Sequence, residues 1–217
     1  MPERAGRFAG AMKWLGHAPA FSPQGLVNLF PWKPESDSSQ FTVVDVGGGL
    51  GHVSHALAAS EHGSKAHFVV QDLADIVDKG QSALSGKDLQ EKIRFQVHDF
   101  FEEQPVHGAD VYLLRMILHD WSDKYGIKIL RALVPALKPG AKVVINDRVI
   151  PGRHQVHYRD SDMFMLSFQN AQERTESDWR ELLIAADGRF EVTAVQRPVG
   201  YVLGVVEVTW RGSSGMA

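Results

Sequence analysis

At 217 residues, with 44% hydrophobic and 23% charged content, the chain is long enough for one well-cored domain and ordinary for a soluble globular protein. A formal charge of −3 gives no argument for nucleic acid or an anionic membrane surface, and the absence of cysteine removes disulfides, thiolate catalysis and cysteine-ligated zinc together. No apolar run approaches the roughly 18 residues of a membrane span and no signal-peptide core opens the chain, so a soluble, cytoplasmic protein is expected.

In chain order, Phe8, Met12 and Leu15 share one face of a helix running from Met1 to about Gly16, and Leu26 to Phe30 form a short second helix. Pro31-Trp32-Lys33-Pro34 and the polar stretch after it make a loop. Phe41–Val46 reads as a strand, His52–Ser60 as a helix, His67–Asp72 as a second strand and Leu73–Ser82 as a helix. Ile93–Val97 and Val111–Leu114 are the third and fourth strands. Ser122 is placed to cap a helix reaching about Leu137, with Ile127, Leu130, Val134 and Leu137 on one stripe and Pro135 narrowing its end. Lys142–Val149 is the fifth strand; helices over Ser161–Phe168 and Glu176–Ala186 follow. Phe190–Gln196 and Val202–Trp210 close the chain as an antiparallel pair at one edge, and residues 212–217 fray. Strands alternating with helices predict an α/β, Rossmann-like doubly wound sheet of seven strands, mostly parallel.

Asp45-x-Gly47-x-Gly49-x-Gly51 sits between the first strand and its helix, where missing side chains let backbone N–H groups approach a ligand. A dinucleotide loop wants a third glycine where His52 stands, which counts against nicotinamide or flavin. Asp72 ends the second strand and is suited to both hydroxyls of a ribose, or else to a helix cap. Asp99 and Phe100 follow the third strand and suit the amine and ring of adenine, or else a strand-end turn. Three successive strand ends therefore each offer a group for one part of an adenosine.

His119 follows the fourth strand, Asp147 the fifth, and Glu173 lies on a later loop, Asn170-Ala171-Gln172-Glu173-Arg174-Thr175. A histidine beside carboxylates is an oriented general base, while Glu173-Arg174 has the alternative reading of a surface ion pair. The histidine spacing supports no metal site.

Taken in order, Val44-Asp45-Val46-Gly47-Gly48-Gly49-x-Gly51, Gln71-Asp72-Leu73, Asp99-Phe100-Phe101, Leu118-His119-Asp120-Trp121-Ser122-Asp123, Leu137-Lys138-Pro139-Gly140 and Glu173-Arg174-Thr175 resemble the catalytic domain of S-adenosylmethionine-dependent O-methyltransferases of the caffeate type, and more closely their fungal relatives of secondary metabolism. The resemblance implies S-adenosyl-L-methionine as cofactor, with Gly47, Gly49 and Gly51 around its methionine end, Asp72 on the ribose, Asp99 and Phe100 on the adenine, and Asp45, Leu73, Arg115 and Trp121 also at the cofactor. Arg115 stands where relatives often carry a lysine, a change that keeps charge and alters geometry. His119 is the implied base for an aromatic or polyketide-like hydroxyl, flanked by Asp147 and Glu173 and using no metal. Met12, Phe164, Met165 and Asn170 are implied at the acceptor.

Residues 1–40 are then expected to pack on the core and line the acceptor pocket, and residues 41–211 to form the cofactor-binding catalytic domain. Family members usually begin with a helical dimerisation domain that this sequence does not include. A homodimer or a complementary protein partner is therefore an expectation. Two other readings stay open: a cofactor-binding relative with pericyclic or dehydration chemistry, and a noncatalytic subunit that docks on a partner.

Overall fold

The computed structural model describes residues 19–29, 40–61, 63, 65–84, 86–151 and 173–212. The helices expected over residues 1–16 and 161–168 lie outside these, as do Met12, Phe164, Met165 and Asn170. After a 3-10 turn at Pro19–Phe21 and helix α1 (Gln24–Leu29), the elements are β1 (Phe41–Val46), α2 (His52–Ala58), β2 (Ala66–Asp72), α3 (Ala74–Ala83), α4 (Lys87–Lys92) and β3 (Ile93–Val97). There follow β4 (Val111–Arg115), α5 (Asp123–Leu133), β5 (Lys142–Asn146), β6 (Val149–Ile150), β7 (Arg174–Thr175), α6 (Glu176–Ala186), β8 (Phe190–Gln196) and β9 (Val205–Trp210).

The main sheet has seven strands in the order β3-β2-β1-β4-β5-β9-β8. β2, β1, β4 and β5 pair in parallel, and β9 runs antiparallel to both β5 and β8. Only β9 is therefore reversed, because β8 again runs with the parallel set. Central strands have both faces covered, so they read as continuous apolar runs. Val44, Tyr112, Leu114, Val143 and Ile145 face one layer with Leu130, Leu133, Trp179 and Leu183. The alternate residues Val43, Leu113 and Val144 face the other with Leu26, Leu57 and Phe68. Strand order reverses between β1 and β4, and in such sheets the ligand crevice opens there, at the strands' carboxyl ends.

Several expectations need correction. Helix α4 was not foreseen: Lys87–Lys92 has one apolar residue, Leu89, and so no periodic stripe. Helix α5 buries Gly126, Ile129, Leu130 and Leu133, one residue round from the expected stripe, and Gly126 lies against Leu182 of α6. Ser122 occupies the N-cap without a side-chain hydrogen bond. Pro135 does narrow the helix end, into a 3-10 turn at Val134–Ala136. The fifth strand stops at Asn146, and Val149–Ile150 pair instead with Arg174–Thr175 in a separate two-stranded ribbon. β9 starts at Val205 because the N–H groups of Val202 and Gly204 donate to Ala20 and Asp147 carbonyls. Among the described residues no helix is long and apolar enough to cross a membrane.

Leu130 is fully buried between the sheet and α6. Leu130→Ala is expected to cost about 2–5 kcal/mol in urea unfolding, and a loss well under about 1 kcal/mol would contradict this packing.

Candidate functional site

The turn after β1 is built by backbone conformations that favour glycine. Gly47, Gly49 and Gly51 have φ of 67°, 59° and 77°, in the left-handed region. A Cβ on Gly47 would lie 2.6 Å from Ile117 Cδ1, and one on Gly48 2.6 Å from Asp45 Cγ. At Gly49 nothing lies within 4 Å of that point, so the turn's outer face is open to a ligand. The turn is held from beneath and from the side. Ser54 Oγ donates to Asp45 Oδ2 at 2.6 Å; Gly48 N–H donates to the Gln71 carbonyl at 3.0 Å and Gly49 N–H to Asp72 Oδ2 at 2.9 Å. Burial raises the Asp45 carboxyl to about 6, against the lowering pull of Ser54 and Arg115.

Asp72 accepts from Leu73 N–H through its other oxygen at 2.8 Å, and its carbonyl accepts His98 N–H, tying the end of β3 to the end of β2. Leu73 itself is 57% exposed, an apolar side chain standing beside the crevice. Asp99 Oδ1 accepts Phe101 N–H at 2.9 Å and shapes the turn that carries Phe100. Phe100 reaches back toward Gly47 and packs edge-on to Phe101 and Trp121, with Tyr125 closing the aromatic group. Beneath this turn Gln71 and Gln104 exchange two amide hydrogen bonds of 2.8 Å. Neither glutamine was foreseen as part of the site: Gln71 was quoted only within the Gln71-Asp72-Leu73 motif, and Gln104 stood in none.

Arg115 ends β4 with its guanidinium turned inward, donating to Asn146 Oδ1 and to the Phe21 carbonyl. It anchors the Pro19–Phe21 turn to the sheet edge, and burial lowers its pKa against the pull of Asp45 and Asp147. Beyond it the chain passes through Met116, whose φ of 53° is uncommon for a side-chain-bearing residue, into a 3-10 turn at Leu118–Asp120. His119 stands on that turn. Asp147 is fully buried, and its Oδ2 accepts the N–H groups of Leu118 and His119 at 3.1 and 3.3 Å. Burial raises the Asp147 carboxyl, opposed by His119 and by those two N–H groups.

His119 and Asp147 thus meet as expected for neighbouring strand ends, but through the histidine's backbone. The carboxylate beside the imidazole is Asp120, with Oδ1 3.4 Å from Nε2; adjacency in sequence was the available signal. Among the described residues, His119 Nδ1 and Asp147 Oδ1 are buried without a hydrogen bond. Glu173 is also buried, with Oε1 3.9 Å from the Arg148 guanidinium. Arg174 is fully buried, which removes the alternative reading of Glu173-Arg174 as a surface ion pair. Its guanidinium donates to the Leu118 and Trp121 carbonyls at 2.8 Å each and to Asp123 Oδ1. The Thr175-x-x-Asp178 spacing, a capping-box signature not used in the sequence reading, starts α6 with both reciprocal hydrogen bonds formed.

A glycine turn, strand-end carboxylates and a turn-borne histidine at one edge of a mostly parallel seven-stranded sheet are the arrangement of a class I methyl-transfer fold. The sequence pattern described as the O-methyltransferase domain matches residues 36–188, and the chain belongs to that family. It is 41% identical over 221 residues to the grayanic acid biosynthesis cluster O-methyltransferase of Cladonia grayi, covering 97% of this chain and 47% of that relative. LepI, solved in complex with SAM, aligns with a TM-score of 0.73 at 28% identity over 84% of this chain and 47% of LepI. A structure described as a pericyclic reaction enzyme aligns with a TM-score of 0.73 at 26% identity, over 92% of this chain and 54% of its own. The chain spans about half the length of the curated relatives it matches.

The Asp45 carboxyl binds its proton up to about pH 6 in the folded protein, against about 3.9 when unfolded, so the folded state holds more protons in that window. Stability is therefore lost from Asp45 as pH rises from about 4 to about 6. Asp45→Asn is expected to flatten this fall, changing the pH-dependent part by on the order of 2–3 kcal/mol in urea titrations across the window. Parallel curves for the two proteins would contradict the buried, raised carboxyl.

Proposed function

We propose that this chain is the cofactor-binding, catalytic part of an S-adenosylmethionine-dependent O-methyltransferase acting on a hydroxyl of a small aromatic or polyketide-like acceptor. The observation that carries the reading is the alignment of strand ends. Val46 pairs with Gln71 and Leu114 follows in the same ladder, while Arg115 pairs with Asn146, so the glycine turn, Asp72 and the histidine turn open on one crevice. The residues present fit the cofactor: the outer face of Gly49 is open, Asp72 and Asp99 are carboxylates at the ribose and adenine ends, and Leu73 and Phe100 are apolar faces for a ring. Asp45 acts beneath the turn through Ser54 rather than above it. Arg115 and Trp121 frame the crevice through the Pro19–Phe21 turn and the aromatic group.

When bound, S-adenosylmethionine supplies a methyl group activated on a positively charged sulfur. The chain's residues do the rest. His119 would accept the acceptor's hydroxyl proton and leave its oxygen nucleophilic; the cofactor's sulfonium would give up its methyl to such an oxygen and leave as the neutral thioether, S-adenosylhomocysteine. Asp147 holds the histidine turn in register through Leu118 and His119 N–H, and Asp120 stabilises the protonated imidazole. Glu173, buried at the same edge, orients the hydroxyl. General-base help of this kind is worth roughly 10²–10⁴ in rate, and alignment of the reacting atoms roughly 7–11 kcal/mol of the barrier. We assign completion of the acceptor pocket to Met12, Phe164, Met165 and Asn170 together with a partner chain, either a second copy or a complementary protein.

A second reading keeps the cofactor cradle and replaces methyl transfer by pericyclic chemistry, favoured by the 26%-identical neighbour of that description. Methyl-labelled cofactor incubated with phenolic and enolic acceptors separates the two: a labelled product supports transfer, and an unlabelled isomer supports the second reading. His119→Ala is expected to lower turnover by about 10²–10⁴ while leaving S-adenosylhomocysteine affinity within a few-fold in calorimetry. Asp72→Ala is expected to weaken that affinity by about tenfold or more, the loss of a charge-assisted hydrogen bond or two. Binding that survives Asp72→Ala unchanged sinks the ribose assignment, and turnover that survives His119→Ala sinks the base.

A further inference from the structure

His119 sits on a turn that cannot hold itself. A three-residue 3-10 turn has little intrinsic stability, and this one is entered through left-handed Met116. Its position therefore comes from what grips it. Asp147 takes two of its N–H groups from the sheet side. Arg174 takes its carbonyls from the other side: Nη1 donates to Leu118 O and Nη2 to Trp121 O, both at 2.8 Å. Nε and Nη2 of the same guanidinium reach Asp123 Oδ1 at 3.1 and 2.8 Å, which links it to the first residue of α5. The guanidinium also stacks over Trp179 of α6, 5.1 Å from the ring centroid, and the β6–β7 ladder fixes its backbone opposite Val149.

We propose that Arg174 is a positioning residue for the reaction: it acts through the turn, setting where His119 stands and holding Trp121 of the aromatic group at the same time. An acid and an arginine on opposite sides, one accepting N–H and the other donating to C=O, leave the turn a single arrangement. Only a planar fork meets two carbonyls and a carboxylate in one plane, so lysine does not replace it. The proposal rests on His119 being the base, but its structural half does not.

Two readouts on the full chain test it. In hydrogen exchange, Asp123→Asn and Arg174→Lys are expected to speed exchange of the amides of residues 118–122 by about tenfold or more while β1, β2, β4 and β5 keep wild-type protection, as local opening requires. In turnover with labelled methyl donor, Arg174→Ala is expected to lose about 10²-fold in kcat, with S-adenosylhomocysteine affinity changed only a few-fold, and added guanidinium ion is expected to restore at least about a tenth of the loss on a logarithmic scale. Asp123 lies at the surface end of the clamp, so its variant remains informative if Arg174→Ala does not fold. Unchanged exchange at residues 118–122, or exchange that rises equally across the sheet, overturns the proposal. So does an Arg174→Ala protein that folds and turns over like wild type. His119→Ala run in parallel separates the two claims: if it still methylates, the base assignment has failed, and the exchange data alone then judge the clamp.

Discussion

In-register parallel pairing of β2, β1, β4 and β5 is the constraint from which the site follows. Each strand ends within a residue or two of its neighbour, so the glycine turn, Asp72, Met116 and Asp147 leave the sheet at one edge. Both faces of these strands are buried, with Val44 and Leu114 packed in one layer and Val43 and Leu113 in the other. The crevice is thus a consequence of core packing, and the loops need only be short.

Beneath the edge the protein keeps charge where burial makes it costly. Asp45, Arg115, Asp147 and Arg174 form an alternating set: Arg115 lies in the field of Asp45 and Asp147, and Arg174 lowers the Asp147 carboxyl that burial raises. Buried charges of this kind contribute little net stability and instead specify one arrangement of the groups they bond. Here the bonded groups include backbone of the turns (Leu118 and His119 N–H on Asp147, the Phe21 carbonyl on Arg115) and the side chains of Ser54 and Asn146. Asp45 sits under Gly48, Asp147 under the histidine turn, and Arg115 under the Pro19–Phe21 turn. The pattern is one of preorganisation, in which fixed groups await the ligand and no reorganisation is spent at the moment of reaction.

Much of this was legible in the sequence, for definable reasons. β1, β3 and helix α6 matched their expected ends because a largely β-branched run, an alternating apolar and polar run, and an amphipathic segment leave few alternatives. Glycines with an acid one strand later, and a histidine one strand before another acid, are local patterns whose spatial meeting follows from topology alone. What did not show was direction. Nothing in Asp45-x-Gly47 says that the carboxylate turns under the loop to Ser54, and nothing in Glu173-Arg174 says that the arginine is buried. Arg115, expected at the cofactor, also donates to Asn146 and Phe21, partners that no local pattern announces. Polar residues read as surface or ligand contacts until packing assigns their partners, and those partners lie up to 94 positions away.

A crystal structure of the chain with S-adenosylhomocysteine tests the central claim most directly. The account predicts the adenine between Leu73 and Phe100, the ribose on Asp72, the amino-acid end along the open face of Gly47–Gly51, and the sulfur directed at His119. A ligand bound elsewhere, or bound there with its sulfur turned away from the histidine turn, would contradict it.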